Sequence, residues 1–200
     1  MSILTGPAIR AALDCGDIAI SPLDPDQIDQ AGVTLHLHPR LLVCRRYDAR
    51  RGRPLPPLDV CTDDGDRFVP VEPDASGAFL FLPGRFYLGA TIERVRTAVR
   101  PGRPSHVVRV DGKSSPGRKS LEVHRTAGHI EPGFDGQITL EMSVLVPLLI
   151  PPGWPVCQAV FHQTVGPVES YAVRGHYADA GEHDGPQTSR SHLHKPRHVR

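Results

Sequence analysis

The sequence carries almost no net charge: 23 lysines and arginines stand against 22 aspartates and glutamates in 200 residues, leaving +1. That excludes the overall positive field behind nonspecific nucleic-acid binding, so any anion site is local. No apolar run approaches the ~18 residues that a spanning helix needs, which argues against a membrane protein. The N-terminal stretch MSILTGPAIR also lacks the apolar segment of a secretory signal. Four cysteines, Cys15, Cys44, Cys61 and Cys157, include no C-x-x-C pair, and no internal repeat is visible. The simplest expectation is a soluble protein of a reducing cytoplasm with free thiols.

What is abundant is punctuation. Glycine and proline, 19 and 21 residues, make up a fifth of the chain. That disfavours a helical bundle and points to many short strands joined by tight turns. One short helix is expected over residues 7–15, where Thr5, Gly6 and Pro7 start it and Gly16 ends it. Period-two alternation predicts strands over 33–38, continuing at 41–44, and over 78–82, 86–93, 106–110, 137–146, 148–150 and 156–162. The stretch 45–76, with five arginines between Arg45 and Arg53, shows little periodicity and reads as a long surface excursion. Residues 1–190 are expected to form the folded domain. Residues 191–200, basic and histidine-rich, bury too little to offset their ordering entropy and read as a disordered tail.

Several familiar chemistries fail on spacing. Gly112-Lys113-Ser114 ends like a phosphate-binding P-loop, but Val107 occupies the first glycine position. His129-Ile130-Glu131 with Pro155-Val156-Cys157 lacks the second thiolate of a zinc deaminase, because position 160 is Val160. Pro116 takes the closing glycine of a nucleophile elbow. What remains is Asp111-Gly112-Lys113-Ser114-Ser115-Pro116-Gly117-Arg118, then Thr126-Ala127-Gly128-His129-Ile130-Glu131-Pro132-Gly133-Phe134, then Ile138-Thr139-Leu140-Glu141. The first piece reads equally as a compact anion cradle or as a capped turn beside an ion pair. In the last, Ile138, Leu140, Met142 and Val144 share one strand face, so Thr139, Glu141 and Ser143 point the other way. Glu141 is then either an ordinary solvent-facing glutamate or, in a cleft, a carboxylate placed for proton transfer.

These residues resemble the dCTP deaminases of the dUTPase-like superfamily, whose pattern runs D-G-R-S-S-x-x-R, T-A-x-x-I-D-P-G-[WF] and a strand ending in L-E. The likeness extends to Gly16-Asp17-Ile18-Ala19-Ile20-Ser21-Pro22, Pro83-Gly84-Arg85-Phe86, Thr91-Ile92-Glu93-Arg94-Val95, Gln158 and Gly185-Pro186-Gln187-Thr188-Ser189-Arg190. The resemblance implies a mainly β, distorted β-barrel or jelly-roll subunit with a short N-terminal helix. It also implies a homotrimer with active sites between subunits and a C-terminal segment that closes over nucleotide. The implied chemistry is zinc-free replacement of the cytosine 4-amino group by water, with Mg2+ arriving on the phosphates. In it Glu141 moves the protons, while Ser114, Arg118 and the Ala127 carbonyl hold the water. Substrate contacts are implied for Lys113, Ser115, Ile130, Glu131, Phe134, Gln158, Tyr171, His176 and Tyr177. No nucleic acid or membrane partner is implied.

The sequence departs from that pattern at four places. Lys113 replaces an arginine, trading a bidentate fork for a point charge. Glu131 replaces the aspartate near the sugar. His36 stands for the acid of a V-D-[LV] motif, and His176-Tyr177 stands for Lys-Tyr ahead of a lengthened lid. All four touch nucleotide recognition, which favours retained deamination with altered specificity. The rivals are a pyrophosphate-releasing enzyme, alone or after deamination, and a noncatalytic nucleotide-binding protein.

Overall fold

The computed structural model describes residues 2–48, 50–59, 65–175 and 183–189. Helix α1 (Gly6–Asp14) carries Pro7 in its first turn, where the missing amide costs no hydrogen bond. Gly16 ends it in the left-handed region, at φ +72°. The strands then follow in chain order: β1 (Ile18–Ser21), β2 (Val33–His36), β3 (Leu42–Cys44), β4 (Tyr47–Asp48), β5 (Arg53–Pro54), β6 (Phe68–Pro70) and β7 (Phe79–Phe81). After them come β8 (Tyr87–Thr97), β9 (His106–Gly112), β10 (Leu121–Glu122), β11 (His129–Ile130), β12 (Asp135–Val144), β13 (Leu148–Ile150) and β14 (Pro155–Gln163). Two short helices, α2 (Ser114–Gly117) and α3 (Tyr171–Arg174), and two 3-10 turns, Pro25–Gln27 and Gly65–Arg67, complete the described elements.

The strands form two main antiparallel sheets. One runs β10-β12-β8-β3-β6 with β1 also on β8, and the other runs β11-β9-β14-β2. They meet where Leu37 bridges Thr91 and the His38 amide donates to Ala90 at 2.9 Å, which gives a distorted barrel. The inward ranks fill it: Ile138, Leu140, Met142 and Val144 from β12 oppose Val108, Val110, Val156, Ala159 and Phe161. Each of these side chains larger than alanine contributes roughly 1.5–3 kcal/mol by leaving water. At the junction Glu93, 2% exposed, accepts from Gln27 Nε2 at 2.8 Å and from the His36 amide at 2.9 Å. Its other contact is His36 Nδ1 at 2.6 Å, so the buried carboxylate is paired.

The alternation predicted for β12 is the alternation observed, with odd positions half-buried and even positions buried from Ile138 to Val144. Strand β8 runs on to Thr97, because Val95 and Thr97 stay buried while Arg94 and Arg96 do not. The reading of 45–76 as an excursion needs correction. β4 and β5 form a hairpin there, and β6 joins the larger sheet beside β3. Phe68 is buried with its ring 5.9 Å from Phe86. Three residues with one deeply buried aromatic are too few to show a period. Among the described residues no helix is long and apolar enough to cross a membrane. His176, Tyr177 and the tail 191–200 lie outside the described residues.

Candidate active site

Because even positions of β12 fill the core, Gln137, Thr139 and Glu141 form an outward rank on a strand held by β8. Glu141 pairs in register with Leu88. This rank is one wall of a cavity of about 420 Å3, within the size range of small-molecule sites. A second wall comes from the β11 hairpin, with Ala127, Ile130, Glu131 and Phe134. Gly133 makes its turn at φ +88°, and a side chain there would run into Ser170. The Tyr171 amide donates to the Pro132 carbonyl at 2.7 Å, and the Tyr171 ring meets Phe134 edge-on at 5.9 Å. Phe68, Phe86 and Leu88 make the apolar end.

The segment 183–189 lies along the rank. Asp184 is held by His38 Nε2 at 2.9 Å and by the Arg40 guanidinium at 3.2 Å. The Gly185 amide donates to Gln137 Oε1 at 2.8 Å, and the Gln187 amide to Thr139 Oγ1 at 3.1 Å. Gln187 and Ser189 consequently line the cavity beside Glu141.

His124, which the motif reading passes over, also lines this cavity, and neither ring nitrogen has a hydrogen-bond partner among the described residues. Burial pushes its pKa below the ordinary histidine value, partly offset by the nearby Glu141 carboxylate. Between Val123, which points inward, and an exposed Arg125, nothing in local periodicity marks it.

The residues expected to act together fall into two groups within one chain. Glu141, Ala127, Ile130, Glu131, Phe134 and Tyr171 share the cavity, whereas Ser114, Ser115 and Arg118 are exposed around α2 and do not line it. Lys113 leans away from its neighbours, with Nζ 2.5 Å from Thr34 Oγ1 and 3.4 Å from Asp29 Oδ2. The side chain of β2 that meets Lys113 is therefore Thr34, and His36 turns to Glu93 instead. Gln158 opens on a separate recess with Asp29 and Asp111. Glu131 pairs with His129 at 3.5 Å.

Residues 3–164 match the family model described as dCTP deaminase-like. The chain belongs to the dCTP deaminase-like family. Two relatives are each named "dCTP deaminase, dUMP-forming". The one from Clavibacter michiganensis is 33% identical over 195 residues, covering 96% of this chain and 91% of that protein. The one from Kocuria rhizophila is 37% identical over 194 residues, covering 92% of each. A dCTP deaminase from Natronomonas pharaonis is 36% identical over 196 residues, 94% of each chain. The mainly β fold is shared with the crystal structure of 2'-deoxycytidine 5'-triphosphate deaminase from Agrobacterium tumefaciens, at a TM-score of 0.57 and 23% identity. That match covers 81% of this chain and 48% of the other, about half its length.

Proposed function

We propose that this protein hydrolyses the 4-amino group of a cytosine nucleotide, dCTP or a close relative, giving the uracil nucleotide and ammonia. The observation that carries the reading is Glu141, a half-buried carboxylate on a rigid strand facing a nucleoside-sized cavity, in a dCTP deaminase-like chain. Glu141 takes a proton from water as the oxygen bonds to C4. It delivers that proton to N3, then takes the remaining proton of the new C4 hydroxyl and passes it to the nitrogen, which leaves as ammonia as the C4–N bond breaks and the C4 carbonyl forms. Protonating N3 makes C4 electrophilic, and one positioned acid or base contributes ~10²- to 10⁴-fold. The Ala127 carbonyl, Ser114 and Arg118 hold the water in line, and Lys113 and Ser115 receive phosphate. Magnesium enters with the triphosphate as part of the substrate.

Ser114 and Arg118 stand outside the cavity of their own chain, which supports a site completed by a neighbouring subunit in a homotrimer. The relatives named as dUMP-forming favour a second reading, in which pyrophosphate also leaves and dUMP is the product. The test is to assay purified, folded protein for ammonia and pyrophosphate over a panel of cytosine nucleotides. Ammonia with pyrophosphate from dCTP supports the dUMP-forming reading; ammonia alone supports simple deamination. No release of ammonia from any member by folded, trimeric protein overturns both.

A further inference from the structure

Gln187 and Ser189 line the cavity, whereas the side chains that anchor the start of their segment, His38, Arg40 and Asp184, do not. His38 is a fixed anchor. Its side chain is 6% exposed, and its amide donates to the Ala90 carbonyl at 2.9 Å, where the two sheets meet. The Arg40 amide donates to His38 Nδ1 at 3.0 Å, so that nitrogen is the acceptor and Nε2–H is directed at Asp184 Oδ1, 2.9 Å away. Arg40 closes on the same residue. One guanidinium nitrogen donates to the Asp184 carbonyl at 2.7 Å, and the other stands 3.2 Å from Oδ2. Gly185 then passes at φ +109°, so near that a Cβ there would lie 3.1 Å from Arg40 Cδ.

An irregular stretch of chain loses conformational freedom at every residue it fixes, so its order has to be supplied by contacts. Beyond Asp184 the Gly185 amide donates to Gln137 Oε1 and the Gln187 amide to Thr139 Oγ1. Farther on, the segment passes the turn Gly65–Arg67, where a Cβ on Gly65 would stand 3.3 Å from Thr188 Oγ1. An exposed ion pair on its own contributes little. Here a buried histidine of fixed tautomer and a guanidinium share one carboxylate, and their effect falls on seven residues rather than on the whole barrel.

Resting on the reading that this cavity takes the nucleotide, we infer that His38, Arg40 and Asp184 are positioning residues. They form a clasp that keeps the 183–189 segment in place as a cavity wall, and so set nucleotide affinity from outside the site. When the clasp is removed, the apparent affinity falls in proportion to the time the segment spends in place, while the complex that does form reacts as before.

The test compares wild type with Asp184→Ala, which removes the carboxylate. The readouts are hydrogen exchange in peptides covering 183–189 and KM and kcat for dCTP. Exchange is expected to quicken at least tenfold and KM to rise about tenfold, with kcat changed less than about twofold. Asp184→Asn keeps an acceptor for His38 Nε2–H and is expected to recover part of the loss. In Arg40→Ala combined with Asp184→Ala, the loss is expected to fall short of the product of the two single losses, because the side chains act through one contact. Unchanged exchange in Asp184→Ala overturns the inference. So does faster exchange with nucleotide affinity intact, which would make the clasp a structural tie only, and so do single losses that multiply in full. If wild type releases no ammonia, the deaminase reading fails separately. Calorimetric dissociation constants for dCTP then replace KM: weakening of about tenfold in Asp184→Ala supports the inference, and an equal constant overturns it.

Discussion

The rank Gln137, Thr139, Glu141, which ends in the last of the three motif pieces, and the turn around α2, which holds the first, are built differently. On the rank, Gln137 donates to the Ile92 carbonyl at 3.1 Å and accepts from Gly185, and Thr139 accepts from Gln187. Around α2, Ser114, Ser115 and Arg118 are exposed, and of these four neighbours only Lys113 has side-chain hydrogen bonds among the described residues, to Thr34 and Asp29. One half is organised by its own chain before any ligand arrives. The other is an open set of donors that phosphate, a second subunit or both would order. Under the proposed function, preorganisation at the first suits placement of the reacting carboxylate, and the open turn suits phosphates held by charge.

The comparison breaks most sharply at Glu141. Glu141→Gln should lower ammonia release by about 10²- to 10⁴-fold while calorimetry still detects nucleotide; full turnover in that variant would remove the proton-transfer role. Next in size is the support beneath the rank. Leu140 is fully buried, and Leu140→Ala should cost about 2–5 kcal/mol in urea unfolding, since both the side chain and the space it filled are lost. Arg118→Ala sharpens the contrast from the other side. It should reduce turnover roughly tenfold or more yet shift stability by no more than about 0.5 kcal/mol, as expected of an exposed side chain. A large loss of stability there would show that α2 is a structural corner rather than an open set of donors.

The smallest effect is with pH. Burial holds both His106 and His124 below the ordinary value of 6.5; Arg103 adds to this at His106, while Asp17 opposes it there and Glu141 opposes it at His124. The unfolded chain therefore takes up protons near pH 6.5 that the folded chain resists, and stability should fall as pH drops below that point. Urea midpoints between pH 7 and 5.5 should decline, and less steeply in His124→Asn. An equal slope in that variant would place the acid sensitivity elsewhere.

Much of this was legible before the fold was known. Strict alternation placed Glu141 opposite the core rank. Phe68 was not legible, because a single inward aromatic in a three-residue strand leaves no period to detect. Nor was the position of Gln187 beside the cavity: it depends on side chains at 38, 40, 137 and 139, contacts across 48 to 146 residues of sequence that no local pattern encodes. The division of the motif between a cavity and an exposed turn was hidden for the same reason, since spacing along the chain says which groups are available and not which wall each one joins.

Gly133 has a consequence beyond its turn. Ser170 and the Tyr171 amide nitrogen, the latter 2.9 Å from where a Cβ would sit, occupy the room that any other residue at 133 would claim. Two stretches of chain far apart in sequence are thus fitted like leaf and pin at the cavity's rim. Neither stretch can change there without disturbing the other, so the place of Tyr171 at the cavity depends on the fit between them and not on any single side chain.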